Sequence, residues 1–166
     1  MRLFVGIPLP ATVIEELWSA AESWHINLQF LGNTPQYDCI VARLRELRSP
    51  SVPIQLEGLD FFERAGVFFA GVRLTPELSV LQQRVTTATR LCGFIPETRP
   101  YHPHITLARS KSKAGKRGLN ALKSKVHRQP KFSDFVAEEF VLYESVATPT
   151  GSLYEVRERF HRPKKE

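Results

Sequence analysis

The sequence predicts an α+β fold of two pseudo-symmetric lobes, each a mostly antiparallel sheet with helices on its outer face, and a cleft between them. Three observations carry this expectation. Short apolar runs alternate with helical patterns along the whole chain. The order strand, proline-started helix, histidine-bearing strand occurs at 2–31 and again at 66–109. The histidine-bearing strands themselves nearly match: His25-Ile26-Asn27-Leu28 and, 79 residues later, His104-Ile105-Thr106-Leu107. In a strand, residues i and i+2 share a face. His25 and Asn27 therefore project together, as do His104 and Thr106, while Trp24, Ile26, Leu28 and Phe30, like Ile105 and Leu107, turn towards a core. Two equivalent lobes meeting face to face would bring the two histidines together.

The elements follow in order. RLFVGI (2–7) reads as a strand, and PATVIEEL (10–17) as an amphipathic helix with Val13, Ile14 and Leu17 inward. The first histidine strand spans 24–31 and is closed by Gly32-Asn33. Thr34-Pro35 supplies a helix cap followed by proline at the first helical position. Helix 35–48 then places Ile40, Val41, Leu44 and Leu47 on one face. VPIQLEGLD (52–60) and GVFFAGVRL (66–74) read as strands joined through FFERA. Thr75-Pro76 repeats the start signal for a helix over 76–92 that buries Leu78, Leu81, Val85 and Ala88. The second histidine strand spans 103–109, and a short helix is expected near Leu119–Val126. Residues 135–146 and 152–160 read as a closing hairpin turned at Thr148-Pro149-Thr150-Gly151. The first repeat is fifteen residues shorter than the second between its opening strand and its histidine. That shortfall predicts either a natural deletion or a missing stretch between about Glu16 and Ala21.

Hydrophobic residues make up 42% and charged residues 24% of the 166, the balance of an ordinary globular domain. The whole of 1–166 is read as one two-lobed domain, and as a monomer. No apolar run approaches the roughly 20 residues that span a bilayer, and MRLFVGIPLP is too short in its apolar part for a signal peptide. A cytoplasmic chain with no membrane partner is the expectation. Cys39 and Cys92 stand far apart without a CxxC spacing and read as two buried thiols. The net charge of +6 favours an anionic partner. The segment from Lys111 to Lys131 holds eight cationic side chains and no acid. It contains no Phe, Tyr or Trp, which suits phosphate contacts rather than base stacking.

A pair of facing histidines suits one chemistry well. Cleaving a phosphodiester with water needs a base to activate the nucleophile and an acid to protonate the leaving oxygen. Imidazole can take either role near neutral pH. In-line displacement sets the two on opposite sides of phosphorus, so one histidine from each lobe fits. Asn27 and Thr106 can donate hydrogen bonds to the non-bridging oxygens. Neither a metal nor a cofactor is called for. His102, two before His104, makes a His-x-His pattern that lacks a third ligand at recognisable spacing; with Pro103 disturbing the pleat, it reads as a structural or rim residue. Phe30 and Tyr154 read as core, and His127 and His161 have no evident partner.

On these residues the chain resembles the 2H phosphoesterase superfamily, and within it the bacterial RNA 2′,3′-cyclic phosphodiesterases, also called 2′-5′ RNA ligase-like proteins. The resemblance runs through MRLFVGIPLP, ESWHINLQFLG, RPYHPHITLAR and LYESVATPTGSLYEVRERF. The family signature is a pair of His-x-Thr/Ser-x motifs, one per lobe. The resemblance implies that His25 is the proton donor and His104 the proton acceptor that activates water. It also implies that Arg109, just after the second motif, clamps phosphate, although simple alternation sets it on the face opposite His104. Asn27 departs from the pattern, which has a hydroxyl residue there. The implied reaction is metal-independent opening of an RNA 2′,3′-cyclic phosphate to a 2′-phosphomonoester, with small cyclic nucleotides as further substrates. Two rivals stand beside it: a 2′-5′ RNA ligase running the same chemistry in reverse, and a non-catalytic module that binds RNA ends.

Overall fold

The computed structural model describes residues 1–10, 24–48, 51–62, 64–109 and 133–161. Among these the chain is α+β. The first strand, β1 (Arg2–Pro8), is followed by β2 (His25–Asn33), α1 (Tyr37–Arg45), β3 (Val52–Ile54), β4 (Leu56–Phe62) and β5 (Val67–Val72). Then come α2 (Pro76–Arg90), β6 (His104–Arg109), β7 (Phe135–Ala137), β8 (Glu139–Thr148) and β9 (Gly151–His161). Seven strands form one sheet in the order β4-β5-β6-β2-β1-β8-β9, and β3 pairs with β7 separately. Every pairing is antiparallel.

The order of the large sheet displays the internal repeat. β4-β5-β6 on one side answers β8-β1-β2 on the other, and the histidine strands β6 and β2 lie side by side at the middle. The two halves are not separate sheets, because β2 and β6 pair directly. Their registered contact is the single position Ile26↔Ile105, and both isoleucines are fully buried.

Both helices pack on one face of this sheet. α2 starts as expected: the Thr75 side chain accepts from the Leu78 amide at 3.2 Å, with Pro76 at the first helical position. Its Leu78, Leu81, Val85 and Ala88 enter the core. α1 starts two residues later than its Thr34-Pro35 signal suggests. Thr34 Oγ1 accepts from the Gln36 amide instead, a local turn that competes with a helical cap, so Gln36 becomes the boundary residue. Ile40, Val41 and Leu44 face inward. Two expected strands each break in two, 52–60 at Gln55 and 135–146 at Glu138. In both cases the first piece leaves the large sheet to join the β3–β7 pair.

The cysteines differ from expectation. Cys39 and Cys92 form a disulfide that ties α1 to the turn after α2. Sequence spacing misses it because the pairing is tertiary: packing of α1 on α2 brings the two Cα atoms to 5.9 Å. Phe30 also differs. A bulge in β2 opposite Val5/Gly6 shifts the register from Gln29 to Asn27, and this reverses the alternation beyond it. Gln29 now faces the helices, where the Thr89 hydroxyl donates to its Oε1 at 2.7 Å. Phe30 turns to the opposite face and is 51% exposed.

Three expectations lie outside the described residues: the helix at 10–17 together with the shortfall near Glu16–Ala21, the basic run with its helix near Leu119–Val126, and His127. No described helix is long and apolar enough to cross a membrane.

The disulfide closes a separation of 53 residues, and a cross-link of that kind typically contributes about 2–4 kcal/mol, mainly by restricting the unfolded chain. The double variant Cys39→Ala/Cys92→Ala should lose stability of that order in urea unfolding. An unchanged midpoint would show that the bridge carries no part of the stability.

Candidate active site

The face of the large sheet turned away from the helices carries the candidate site. Ile26 and Leu28 point to the core, so His25 and Asn27 point the other way. Ile105 is buried in the same core, which sends His104 and Thr106 to the site face as well. All four are half-buried. Extending the Ile26↔Ile105 register one step each way sets His25 across from Thr106 and Asn27 across from His104. The histidines are then diagonal neighbours, which in a regular antiparallel ladder stand about 7–8 Å apart. Four of the residues singled out from the sequence thus meet on one surface. The fifth, Arg109, ends β6 with its backbone opposite Val67; its side chain lies outside the described residues.

Each histidine sits among aromatic rings that the sequence did not single out. His25 contacts Phe4 of β1 at 4.7 Å between ring centroids, Tyr143 of β8 at 5.3 Å and Tyr154 of β9 at 5.3 Å, edge-on. Phe4 stacks on Tyr143 and meets Tyr154 edge-on. Tyr154 packs on the small core cluster of Phe4, Val141 and Tyr143, and through it also borders the site. Burial pushes the Tyr143 phenol up to about 12, an effect Arg159 counters and Glu139 reinforces, so it stays neutral at any working pH. His104 has its own pair, Phe62 of β4 at 5.2 Å and Phe69 of β5 at 5.4 Å, stacked on each other at 4.0 Å. A cavity of about 890 Å³ opens beside the His25 cage, with Pro8, Tyr143, Tyr154 and Arg159 in its wall.

Polar contacts orient the machinery. His104 Nδ1 lies 2.7 Å from the His102 carbonyl oxygen. A carbonyl only accepts, so Nδ1 carries the proton and the neutral ring presents its lone pair at Nε2. His102 is exposed, its ring 5.9 Å from that of His104. Its backbone carbonyl holds the His104 ring. Tyr101 donates to the Asn27 carbonyl oxygen at 2.7 Å and pins the strand behind that side chain; burial drives the Tyr101 phenol far above its ordinary range. His161, without a partner by sequence, lies 3.3 Å from Glu139, which also accepts from Arg159 at 2.7 Å. Among the described residues no group of three or more metal-binding side chains comes together.

Gly6 makes the His25 cage possible. A Cβ there would lie 2.9 Å from the Ile26 carbonyl oxygen and 3.3 Å from both the His25 and Tyr143 rings. The near atom at 2.9 Å is backbone, so the β1–β2 pairing itself would have to move. Gly6→Ala should therefore lower stability by about 1–3 kcal/mol, the cost of overpacking, and displace the His25 ring. The NMR chemical shift of the His25 ring protons reports the displacement, and an unperturbed spectrum would show that the pocket has slack.

Comparison with known proteins bears on the family and the fold. Residues 18–149 match the model of the 2′-5′ RNA ligase superfamily. A protein of Methanocaldococcus jannaschii named RNA 2′,3′-cyclic phosphodiesterase is 27% identical, over 94% of this chain and 98% of its own length. One of the same name from Aeropyrum pernix is 32% identical, over 80% of this chain and 78% of its own. Among solved structures, the apo form of E. coli LigT superposes with a TM-score of 0.77 at 25% identity, covering 96% of both chains. TT0787 of Thermus thermophilus superposes with a TM-score of 0.75 at 25% identity over the full length of both. A match across most of the sequence, on a sheet whose central strands carry both motifs, places this chain in the 2′-5′ RNA ligase superfamily.

Proposed function

We propose that this protein opens RNA 2′,3′-cyclic phosphate ends to 2′-phosphomonoesters, with His25 and His104 as an acid–base pair. The observation that carries the reading is the pairing of the two histidine strands at Ile26↔Ile105, which leaves His25, Asn27, His104 and Thr106 on the face opposite those buried isoleucines. Relatives named RNA 2′,3′-cyclic phosphodiesterase support the reaction class.

The step balances as follows. A water O–H loses its proton to Nε2 of His104 as its oxygen forms a bond to phosphorus. The bond from phosphorus to the ribose 3′ oxygen breaks on the opposite side. His25, entering as imidazolium, gives its proton to that oxygen. The product keeps its phosphate on the 2′ oxygen, and the two histidines end in exchanged protonation states, reset through solvent. The Asn27 amide and the Thr106 hydroxyl donate to the non-bridging oxygens, where negative charge accumulates. An asparagine NH2 supplies this donation as a hydroxyl does, so Asn27 tunes rate and preference without changing the reaction. Arg109 is proposed to hold the same phosphate. No step requires a metal.

Positioned acid–base catalysis is typically worth about 10²–10⁴-fold. His25→Ala and His104→Ala should each lower kcat by at least that range, and the double variant should lose far less than the product of the two losses. Activity should persist in EDTA. Turnover should be bell-shaped in pH, falling on the acid side as the base becomes protonated and on the alkaline side as the acid loses its proton; the two apparent pKa values belong to the pair. The deciding assay offers an RNA with a 2′,3′-cyclic phosphate end, with and without a 5′-hydroxyl RNA acceptor, and identifies the product. A 2′-phosphate supports hydrolysis and a 2′-5′ linkage supports ligation. Binding without turnover would reduce the protein to an RNA-end binding module.

A further inference from the structure

We propose that Phe30 and Arg2 form a stacking platform for the nucleotide that precedes the cyclic end, a role that rests on the cyclic-phosphate reading above and extends it from a terminal nucleotide to an RNA strand. The β2 bulge is the first observation. Without it Phe30 would alternate into the core; with it the ring stands on the site face, 51% exposed. Bulges beside active sites commonly re-aim a side chain in this way. A half-exposed phenylalanine on a catalytic face contributes little to the core, and its open ring face is what a nucleobase stacks on.

The second observation is the cation. The Arg2 guanidinium lies over the Phe30 ring, 5.2 Å from its centroid. An aromatic ring beside an arginine meets both parts of a nucleotide, the base by stacking and the phosphate by charge. A chain of net charge +6 attracts such a strand. The third observation is location. Phe30 lies directly across from Phe4 in the β1–β2 pair, and Phe4 packs on His25. Phe30 stands three steps beyond Asn27, about 10 Å along a strand.

The chemistry also selects this half of the sheet. His104 faces only a water molecule. His25 delivers its proton to the 3′ oxygen, which belongs to the ribose. The nucleoside and all RNA on its 5′ side therefore extend over the half that carries His25, and Phe30 lies on the same strand as that histidine.

The experiment compares kcat/KM for a 2′,3′-cyclic mononucleotide and for a trinucleotide ending in a 2′,3′-cyclic phosphate. Base–aromatic stacking corresponds to roughly 5- to 150-fold per base. Phe30→Ala should lower the trinucleotide-to-mononucleotide ratio by a factor in that range, Phe30→Trp should retain it, and Phe30→Leu should behave like Phe30→Ala. Arg2→Gln should reduce the salt slope of trinucleotide binding by about 0.7, the value for one phosphate contact on a single strand. A ratio unchanged in Phe30→Ala, or fully retained in Phe30→Leu, overturns the platform. If the wild-type protein turns over neither substrate, the cyclic-phosphate reading falls while the platform is still decided by fluorescence anisotropy of the labelled trinucleotide. A 5- to 150-fold loss of affinity in Phe30→Ala then upholds it, and equal affinity overturns it.

Discussion

One backbone junction holds the molecule's chemistry in place: the antiparallel meeting of β2 and β6 at Ile26 and Ile105. Both side chains are fully buried, so the register there is set by the core. Slipping either strand by one residue would turn its isoleucine to solvent and its histidine into the core. Burying an isoleucine is worth about 1.5–3 kcal/mol, and the slip would forfeit that while burying an imidazole. The hydrophobic pattern that builds the core thus also fixes which face the histidines occupy and how they are offset. Stability and site geometry are specified by the same residues.

The aromatic surroundings follow from that junction. With β2 and β6 central, each histidine has neighbours from the next strands outward. β1, β8 and β9 provide Phe4, Tyr143 and Tyr154 on one side; β4 and β5 provide Phe62 and Phe69 on the other. Such rings hold an imidazole plane in one orientation without competing for its nitrogens. Gly6 is the complementary concession, a position where even a methyl group would meet backbone.

Much of this was legible in the sequence, and the remainder has a common physical cause. The period-2 pattern of His25–Leu28 and His104–Leu107 placed His25, Asn27, His104 and Thr106 on the face opposite the buried Ile26, Leu28 and Ile105, and Thr75-Pro76 marked the true start of α2. Those features depend on residues adjacent in sequence. Phe30 was misplaced because a bulge is a property of a strand pair: Leu28 and Gln29 together oppose a single step on β1. Tyr154 does pack on a core cluster, but its contact with His25 was not legible because the two are far apart in sequence. The Cys39–Cys92 bridge was missed for the same reason, since it records the packing of one helix on another. The His102 carbonyl was invisible because a backbone oxygen has no sequence signature.

The two halves of the sheet are close enough in plan to raise the question of how equivalent histidines would take the opposite roles that the proposed reaction gives them. Symmetry supplies the offset but cannot distinguish acid from base; the surroundings must. At His104 the distinction is local. Pro103 sits between two histidines, and the His102 carbonyl reaches back to Nδ1 at 2.7 Å. That bond leaves the lone pair on Nε2, which is what an acceptor of a water proton needs. At His25 three aromatic groups surround the ring, two of them tyrosines, and burial keeps the Tyr143 phenol neutral under all working conditions. The bulge adds a third asymmetry by placing Phe30 and Arg2 on the His25 half. Under the proposed reaction the base lies on the half that needs only water, and the acid on the half where Arg2 stands over the exposed Phe30 ring. The two similar halves of the sheet therefore differ in a carbonyl at His104, a pair of tyrosines at His25 and a bulge in β2.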